Sequence, residues 1–164
     1  MIAVETQVTV RPVRFADILD APNAVDLIHA YAQACVVPDA EPQRLLYEAM
    51  ERAGILYCFG AYTESEGTEA LIGFGSVICS IVPHDGHLVA SLESLFVGPE
   101  YRSTDAFDML MEAIEQLAED RGSRCFVCQA RTGSAYDKVL SRRTGFSQTH
   151  SQYTKWLNGY GGGR

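Results

Sequence analysis

The stretch of sequence that decides the fold is Leu95-Phe96-Val97-Gly98-Pro99-Glu100-Tyr101-Arg102. Its apolar triplet predicts the end of a buried strand, and the Gly-Pro pair predicts a turn directly after it. A long amphipathic helix is predicted next, at 104–121, because apolar side chains recur there at helical spacing: Phe107, Leu110, Met111, Ile114, Leu117 and Ala118. The segment therefore predicts a strand, a turn and a helix in direct succession.

Strand and helix patterns alternate on both sides of this segment, with only short connections between them. Upstream, the patterns predict helices at 23–36 and 41–53 and strands at 7–13, 55–62, 71–82 and 88–97. Downstream, they predict a strand at 125–130, a helix at 134–143 and a final strand at 152–157. Asp85-Gly86 is a hairpin-turn signal, so the last three upstream strands are predicted to form an antiparallel meander.

Each upstream helix shows apolar residues at helical spacing, which predicts the face that it turns to the core. In the first helix these residues are Val25, Ile28, His29, Ala32 and Cys35. In the second they are Leu45, Leu46, Ala49 and Met50. The acidic residues Asp39, Glu41, Glu48 and Glu51 fit two interpretations equally well, an acidic rim that favours a cationic amine and an ordinary solvated helix face.

Length and composition favour one compact domain. The chain has 164 residues, of which 47% are hydrophobic, enough for a single core. The element order indicates an α/β (α+β) fold with a mixed central sheet of about six to seven strands flanked by about four helices. We expect the domain to span 1–157 and the glycine-rich residues 158–164 to form a flexible tail.

The charge balance argues against two classes of partner. The net charge of -8 opposes binding to nucleic-acid backbones and to anionic membranes. No apolar run reaches the roughly 18 residues of a membrane span, and the amino terminus lacks a basic region before an apolar stretch. We therefore expect a cytoplasmic protein that binds neither nucleic acid nor membrane.

The cysteine and histidine patterns predict no metal site. The five cysteines, an odd number, lie mostly in apolar contexts that suit reduced core thiols. Cys125 and Cys128 have the spacing of zinc or redox ligands, but residues three apart on a strand point to opposite faces, and a second ligand pair is missing. His84 and His87 flank the predicted hairpin turn, so we interpret them as turn residues and not as metal ligands.

The segment from Glu93 to Arg102, together with Gly145-Phe146 after the short helix, resembles the GNAT superfamily of N-acetyltransferases. In that family a strand ending in an apolar triplet runs through a Pro-x-Tyr-Arg turn into a pyrophosphate-binding helix. The element order is similar over 7–157, whereas the motifs match only in these two stretches. Short GNAT-like chains of tailed bacteriophages carry a segment similar to Glu93–Arg102.

The resemblance implies a site for acetyl-CoA at the strand end and the helix start. A helix amino terminus attracts pyrophosphate through its N–H groups and its dipole, so an acidic protein can still bind an anionic cofactor. The family's strand also splays from its neighbour, which leaves backbone groups for the pantetheine arm and the acetyl carbonyl. The implied cofactor-binding residues are Leu95, Phe96, Val97, Arg102, Ser103, Thr104, Asp105, Ala106 and Phe107.

The phosphate loop departs from the family pattern at both glycine positions, which hold Asp105 and Phe107. A side chain there raises the steric cost of bringing phosphate oxygens to the backbone, and Asp105 adds a negative charge. We expect Ser103, Thr104 and Asp105 together to cap the helix and so to occupy its anion site.

Acetyl transfer to an amine requires a base for the amine and a proton donor for the departing thiolate. Glu93 is the candidate base, because many relatives carry an acid at this strand position. The alternative is a solvated carboxylate or one paired with an arginine. For the donor, the family commonly has a tyrosine where this chain has Ser141. Tyr136 and Tyr153 are the other candidates, and both also suit a packing role.

Two functional hypotheses follow. The first is an acetyl-CoA-dependent N-acetyltransferase that acts on an amine of a small molecule or protein. The second is a catalytically inactive GNAT-fold structural or interaction protein, suggested by Asp105, Phe107 and Ser141. Its partner would be a second copy of the chain or a virion or host protein, and a phage-encoded chain would lie in the host cytoplasm or the virion. A ligand-binding domain of another α/β fold, without a splayed strand pair, is a third alternative.

Overall fold

A computed structural model describes residues 7–34, 41–65 and 67–152 of the chain. These residues form two compact units that divide between Val127 and Cys128. The first unit contains β1 (Val8–Val13), α1 (Phe15–Leu19), α2 (Ala24–Ala34), α3 (Arg44–Arg52), β2 (Leu56–Ser65), β3 (Thr68–Ile81), β4 (Leu88–Val97), a 3-10 turn (Pro99–Tyr101), α4 (Ala106–Asp120) and β5 (Cys125–Val127). The second unit contains α5 (Ala135–Leu140).

One five-stranded sheet forms the centre of the first unit, with its strands in the order β1-β2-β3-β4-β5. The first four strands are antiparallel neighbours, and β5 lies parallel to β4. The predicted meander is therefore confirmed. The turn between β3 and β4 also forms as predicted, since Gly86 has a φ of 70° and its N–H donates to the Val82 carbonyl at 2.9 Å.

The number of elements differs from the expectation. The described residues hold five strands and five α-helices, where six to seven strands and four helices were expected. Beyond Gln152, the predicted final strand and the predicted tail at 158–164 lie outside the described residues. The strand expected at 125–130 is shorter and ends at Val127. No helix in the described part of the chain is long and apolar enough to cross a membrane.

The sheet separates two apolar clusters. On one face α4 packs its predicted stripe, with Leu110, Met111 and Ile114 fully buried. On the other face, Phe15 and Ile18 of α1 and Leu27 of α2 pack with aromatic side chains of β3 and β4. Because side chains alternate along a strand, neighbouring residues of β4 contribute to opposite clusters.

The predicted buried faces of α2 and α3 are only partly correct, since Met50 packs against the core as predicted but other members of the two stripes are exposed. Val25 and Leu45 are each 80% exposed, and Leu46 is also exposed. On α2 the buried residues are Ala24 and Leu27, which places the core-facing stripe about one residue earlier than predicted.

On α3 no residue is fully buried, and Tyr47 and Met50 face the core instead of Leu45. The orientation of α3 follows from specific partners, because Tyr47 and Glu51 make hydrogen bonds to residues outside the helix. The helical pattern alone contains no information about these partners.

The short helix α1 is absent from the sequence-based prediction. It begins after Arg14, whose backbone N–H donates to the Asp17 carboxylate at 3.0 Å and whose guanidinium also contacts that group at 2.9 Å. This arrangement replaces the usual serine or threonine cap, so no ordinary helix-start signal is present. The helix matters for the site because it carries Phe15.

Candidate functional site

The edge of β4 that faces β5 is only partly paired. The parallel ladder covers Val89 to Ser91, where Ser91 pairs with Val127. From Leu92 to Val97, no strand in the described residues pairs with this edge. Backbone N–H and C=O groups on such an edge are available to an extended ligand. This is the half-open geometry that the resemblance implied for Leu95, Phe96 and Val97.

The side chains of these three residues belong to the core rather than to the open edge. Leu95 is half-buried and Val97 is buried, and both join the cluster under α4. Phe96 points to the opposite face, where its ring lies 5.6 Å from that of Tyr31 and 6.1 Å from that of Phe74. Any ligand on this edge would therefore contact the backbone of the strand.

The chain passes from β4 into α4 through a compact turn. The Gly98 N–H donates to the Ile72 carbonyl at 2.9 Å, which fixes the end of β4 to β3. After the 3-10 turn, Arg102 is exposed, and its guanidinium carbon lies 5.8 Å from the centre of the Phe96 ring. The turn thus places a cation over the last aromatic residue of β4.

Only one of the three predicted capping residues caps α4. The Thr104 hydroxyl accepts from the Ala106 N–H at 3.3 Å and donates to the Tyr101 carbonyl at 2.7 Å. Asp105 occupies the N-cap position, but its side chain makes no capping hydrogen bond and is exposed, and Ser103 is exposed too. The reason is conformational, because Asp105 has a ψ of 3° rather than the extended backbone typical of an N-cap. The Asp105 carboxylate therefore does not fill the anion site.

The next two predicted cofactor residues contribute to the core. Ala106 is fully buried at the first turn of α4. Phe107 is half-buried and packs against the cluster under α4, although the family has a small residue at this position. The large side chain at the second glycine position is thus accommodated by core packing.

Glu93 is the extra residue of a β-bulge. Val77 pairs with Leu92 and Ser76 pairs with Ser94, so the register shifts by one residue at Glu93. A bulge bends the strand and redirects the side chain that it carries. The bulge lies within the stretch of β4 that has no partner on the β5 side.

Two hydroxyl groups bind the Glu93 carboxylate, one at each oxygen. The Tyr47 hydroxyl of α3 donates to Oε1 at 2.5 Å, and the Ser76 hydroxyl of β3 donates to Oε2 at 2.7 Å. Ser76 is 2% exposed and its Oγ also lies 2.7 Å from the Ser94 Oγ. The alternative of an arginine partner or a freely solvated carboxylate is therefore wrong for Glu93.

Helix α1 supports Tyr47 from the side. The rings of Phe15 and Tyr47 stack with their centres 4.0 Å apart and their planes at 11°. The Phe15 N–H donates to the Glu51 carboxylate at 2.7 Å. Glu51 lies one helical turn after Tyr47, so both contacts involve the same face of α3.

Two residues of the acidic rim considered for α3 make contacts within the first unit. Glu48 pairs with Arg44 at 2.9 Å, and Arg44 also pairs with Asp20 at 2.8 Å. Glu51 turns inward to α1, and Asp39 lies outside the described residues. Because Arg44 is shared by two carboxylates and Glu41 is exposed, both interpretations of these acidic residues stay open.

Burial controls the ionisation of two side chains beside Glu93. It raises the pKa of the Tyr47 phenol, and the hydrogen bond to the Glu93 carboxylate raises this pKa further. Burial also raises the pKa of the Cys58 thiol, with a smaller contribution from the Glu51 carboxylate. Tyr47 is therefore a protonated donor at neutral pH, and Cys58 is a neutral thiol.

These two groups predict a loss of stability at alkaline pH. Their unfolded pKa values are near 10.0 and 9.0, and folding raises both. Above about pH 9 the unfolded chain binds fewer protons than the folded one, so the free energy of unfolding falls by at most about 1.4 kcal/mol per pH unit for each group. Urea denaturation between about pH 8 and pH 11 measures this slope.

Cys58→Ala is expected to make the slope shallower, because one of the two groups is removed. Cys125→Ala, which removes an exposed thiol, is the matched control and should leave the slope unchanged. An equal slope in wild type and Cys58→Ala would contradict the assignment.

Two of the three candidate proton donors lie on α5, in the second unit. Tyr136 is half-buried in the first turn of this helix. Ser141 is the exposed C-cap residue, and its hydroxyl donates to the Lys138 carbonyl at 3.0 Å. Tyr153 lies outside the described residues. A donor role for either residue of α5 stays a prediction.

The cysteines of the described residues are free thiols. Cys58 and Cys79 are buried, as expected of core cysteines, whereas Cys125 is exposed and Cys128 follows the end of β5. No group of three or more histidine, cysteine, aspartate or glutamate residues that could hold a metal ion occurs within the described ranges.

A groove of about 610 Å³ lies between α1, α3 and the start of β2. Its lining includes Glu51 and Cys58, and neither Phe96 nor Val97 lines it. The groove is thus distinct from the open edge of β4.

The sequence prediction missed Tyr47 and Ser76, the two residues that contact Glu93. The sequence contains one indication of Ser76, which is the only hydroxyl residue in the apolar run from Leu71 to Cys79. The sequence contains no such indication for Tyr47, because an aromatic residue on an amphipathic helix more often packs in the core.

An antiparallel meander of four strands leads directly into a long helix, after which β5 pairs parallel to only part of β4; this arrangement defines a GNAT-like α/β domain. The sequence model of the Acetyltransferase (GNAT) family matches residues 24–140, which is more than half of the chain. The chain therefore belongs to the GNAT acetyltransferase family. No curated protein matches the chain in sequence.

Solved structures share the fold at low sequence identity. Glucosamine-6-phosphate N-acetyltransferase from Arabidopsis thaliana has a TM-score of 0.70 and 15% identity, covering 93% of this chain and 99% of its own. Ribosomal-protein-alanine N-acetyltransferase from Brucella melitensis biovar Abortus 2308 has a TM-score of 0.67 and 18% identity, covering 93% and 100%. Aminoglycoside N-acetyltransferase AAC(6')-Iy in complex with CoA has a TM-score of 0.68 and 17% identity, covering 95% and 98%.

Proposed function

We propose that this chain is an acetyl-CoA-dependent N-acetyltransferase that transfers an acetyl group to an amine of a small molecule or protein. The observation that carries the proposal is the Glu93 carboxylate, fixed by two hydroxyl donors on the half-open part of β4. Family membership supports the cofactor, because GNAT enzymes use acetyl-CoA. The similar structures act, by their names, on a sugar phosphate, a ribosomal protein and aminoglycosides, and each of these reactions is an N-acetylation.

The residues for acetyl-CoA in this proposal lie along β4 and the start of α4. The backbone of Leu95, Phe96 and Val97 would hold the pantetheine arm, with one N–H polarising the acetyl carbonyl. The segment 102–107 would face the pyrophosphate, with Arg102 as its cation and the positive end of the α4 dipole behind it. Asp105 opposes this charge, but its exposed side chain can turn to solvent.

Glu93 would act as the base, directly or through one water. It takes a proton from the amine as the amine nitrogen attacks the thioester carbon, and the carbon–sulfur bond then breaks. Coenzyme A departs as a thiolate, which must receive a proton. Tyr136 and Ser141 are the proposed donors. The proposed domain is 1–157 with a tail at 158–164, acting in the cytoplasm.

The direct test is the release of the coenzyme A thiol from acetyl-CoA in the presence of amines. We expect release with one or more members of a panel of polyamines, amino sugars and peptide amino termini, together with a mass increase of one acetyl group on the amine. Thiol release without an acetylated product would indicate hydrolysis instead. No release with any member of the panel would contradict the proposal.

A second candidate function is that of an inactive GNAT-fold interaction protein. Asp105 and Phe107 at the two glycine positions favour it, because neither leaves the bare backbone of a phosphate loop. The partner would then be a second copy of the chain or a virion or host protein.

Asp105→Asn separates the two functions, because it removes the charge without disturbing the core packing of Phe107. If acetyl-CoA binds at the start of α4, this variant should bind it about 2- to 5-fold more tightly, the effect of removing one unfavourable charge there. Calorimetric titration measures the change, and Glu112→Gln, on the exposed face of the same helix, is the control. Binding that appears only in Asp105→Asn would favour the inactive protein.

A further inference from the structure

The bulge leaves the Glu93 side chain without a residue directly opposite it on β3. Cross-strand neighbours normally restrict a strand side chain, and Glu93 lacks this restriction. Its orientation is set instead by the hydroxyl groups of Tyr47 and Ser76, which bind different carboxylate oxygens. Each oxygen retains one further acceptor site, so the carboxylate can still bind an amine.

The two hydroxyl donors differ in what holds them. Ser76 is buried in β3, next to Ser94, so its position is part of the sheet. Tyr47 is half-buried and belongs to α3, which is not part of the sheet. The orientation of the carboxylate therefore depends on how α3 sits against β4.

Three contacts with α1 and the residue after it set the position of α3. The Phe15 ring stacks on Tyr47, the Phe15 N–H binds Glu51, and Arg44 pairs with Asp20 through two hydrogen bonds of 2.8 and 2.9 Å. These contacts are distributed over more than one turn of α3. The helix is thus fixed along its length, and the Tyr47 hydroxyl is fixed with it.

We propose that Tyr47 is a positioning residue that directs the Glu93 carboxylate toward the acceptor amine. The inference rests on the proposed acetyltransferase function. Tyr47 keeps its proton at neutral and mildly alkaline pH because burial raises its pKa, so its hydroxyl remains a hydrogen-bond donor to Glu93 there. A tyrosine that only packed against Phe15 would not need its hydroxyl.

Tyr47→Phe removes the hydroxyl and retains the ring that stacks on Phe15. We expect kcat/KM for acetyl transfer to fall about 10- to 100-fold, the effect of losing a hydrogen bond to a charged group. The control is Tyr57→Phe, which removes a hydroxyl that donates to the Gly54 carbonyl of the same unit.

A double-mutant cycle with Glu93→Gln distinguishes positioning from packing. If Tyr47 acts through Glu93, Tyr47→Phe has little further effect on kcat/KM in the Glu93→Gln background. Additive losses in the double mutant would overturn the proposal.

A second cycle combines Tyr47→Phe with Glu93→Ala, which removes both carboxylate oxygens; measured on unfolding free energies, it does not depend on activity. Coupling between Tyr47 and Glu93 is expected there, and its absence would overturn the contact on which the inference rests. Failure of the proposed function looks different, because the wild-type chain would then release no thiol while this coupling persisted.

Discussion

Glu93→Gln is expected to lower kcat/KM for acetyl transfer by about 10²- to 10⁴-fold, the range typical of removing a general base. The amide has nearly the same shape as the carboxylate. Its carbonyl oxygen can accept from Tyr47, and its NH₂ group can donate to the Ser76 hydroxyl, which then acts as an acceptor. The variant therefore removes the basic oxygen and leaves the hydrogen-bonded arrangement in place. Steady-state thiol release measures the loss.

The matched control for this variant is Glu69→Gln on β3. Glu69 is exposed and pairs with Arg11 on β1, away from the Glu93 network. A surface ion pair of this kind contributes little to stability, and its loss should leave kcat/KM unchanged. Activity of Glu93→Gln equal to that of the Glu69→Gln control would remove Glu93 from the mechanism.

Ile114→Ala is expected to destabilise the fold by about 2–5 kcal/mol, the range for truncating a buried isoleucine. Ile114 is fully buried in the middle of α4 and fills the space left by a glycine on β3. A Cβ atom at Gly75 would lie only 2.8 Å from the Ile114 Cδ1 atom. Urea denaturation measures the loss of stability.

Leu45→Ala is the control for this variant, since Leu45 is 80% exposed and should change the free energy of unfolding by no more than about 0.5 kcal/mol. A second check uses the fit between α4 and β3. Gly75→Ala should cost less stability in the Ile114→Ala background than in the wild type, because the closest atom is gone. Equal effects of Ile114→Ala and Leu45→Ala would contradict the packing described for α4.

Local sequence patterns were sufficient to predict the buried side chains of an element that packs along its whole length on one surface. The stripe of α4 was predicted correctly because a long helix on one sheet face repeats the same burial every turn. The meander was also predictable, since strand runs with a clear turn signal have few alternative pairings. The apolar residues Val25 and Leu45 misled the prediction for α2 and α3, because their exposure depends on neighbours distant in sequence.

The site was predictable only in part for a related reason. Glu93 could be selected from its place beside the strand motif, but the bulge that redirects it depends on the register between β3 and β4. Tyr47 lies 46 residues from Glu93, and only the position of α3 brings them together. The capping role of Asp105 was wrong because backbone conformation, not residue type alone, determines whether a carboxylate reaches the helix N–H groups.

The measurement that tests the central claim most directly is calorimetric titration of the purified chain with acetyl-CoA. The claim is that the half-open edge of β4 and the start of α4 hold this molecule. It predicts saturable heat with one site per chain, and weaker binding when Arg102 is replaced by alanine. Absence of binding at millimolar acetyl-CoA would contradict it.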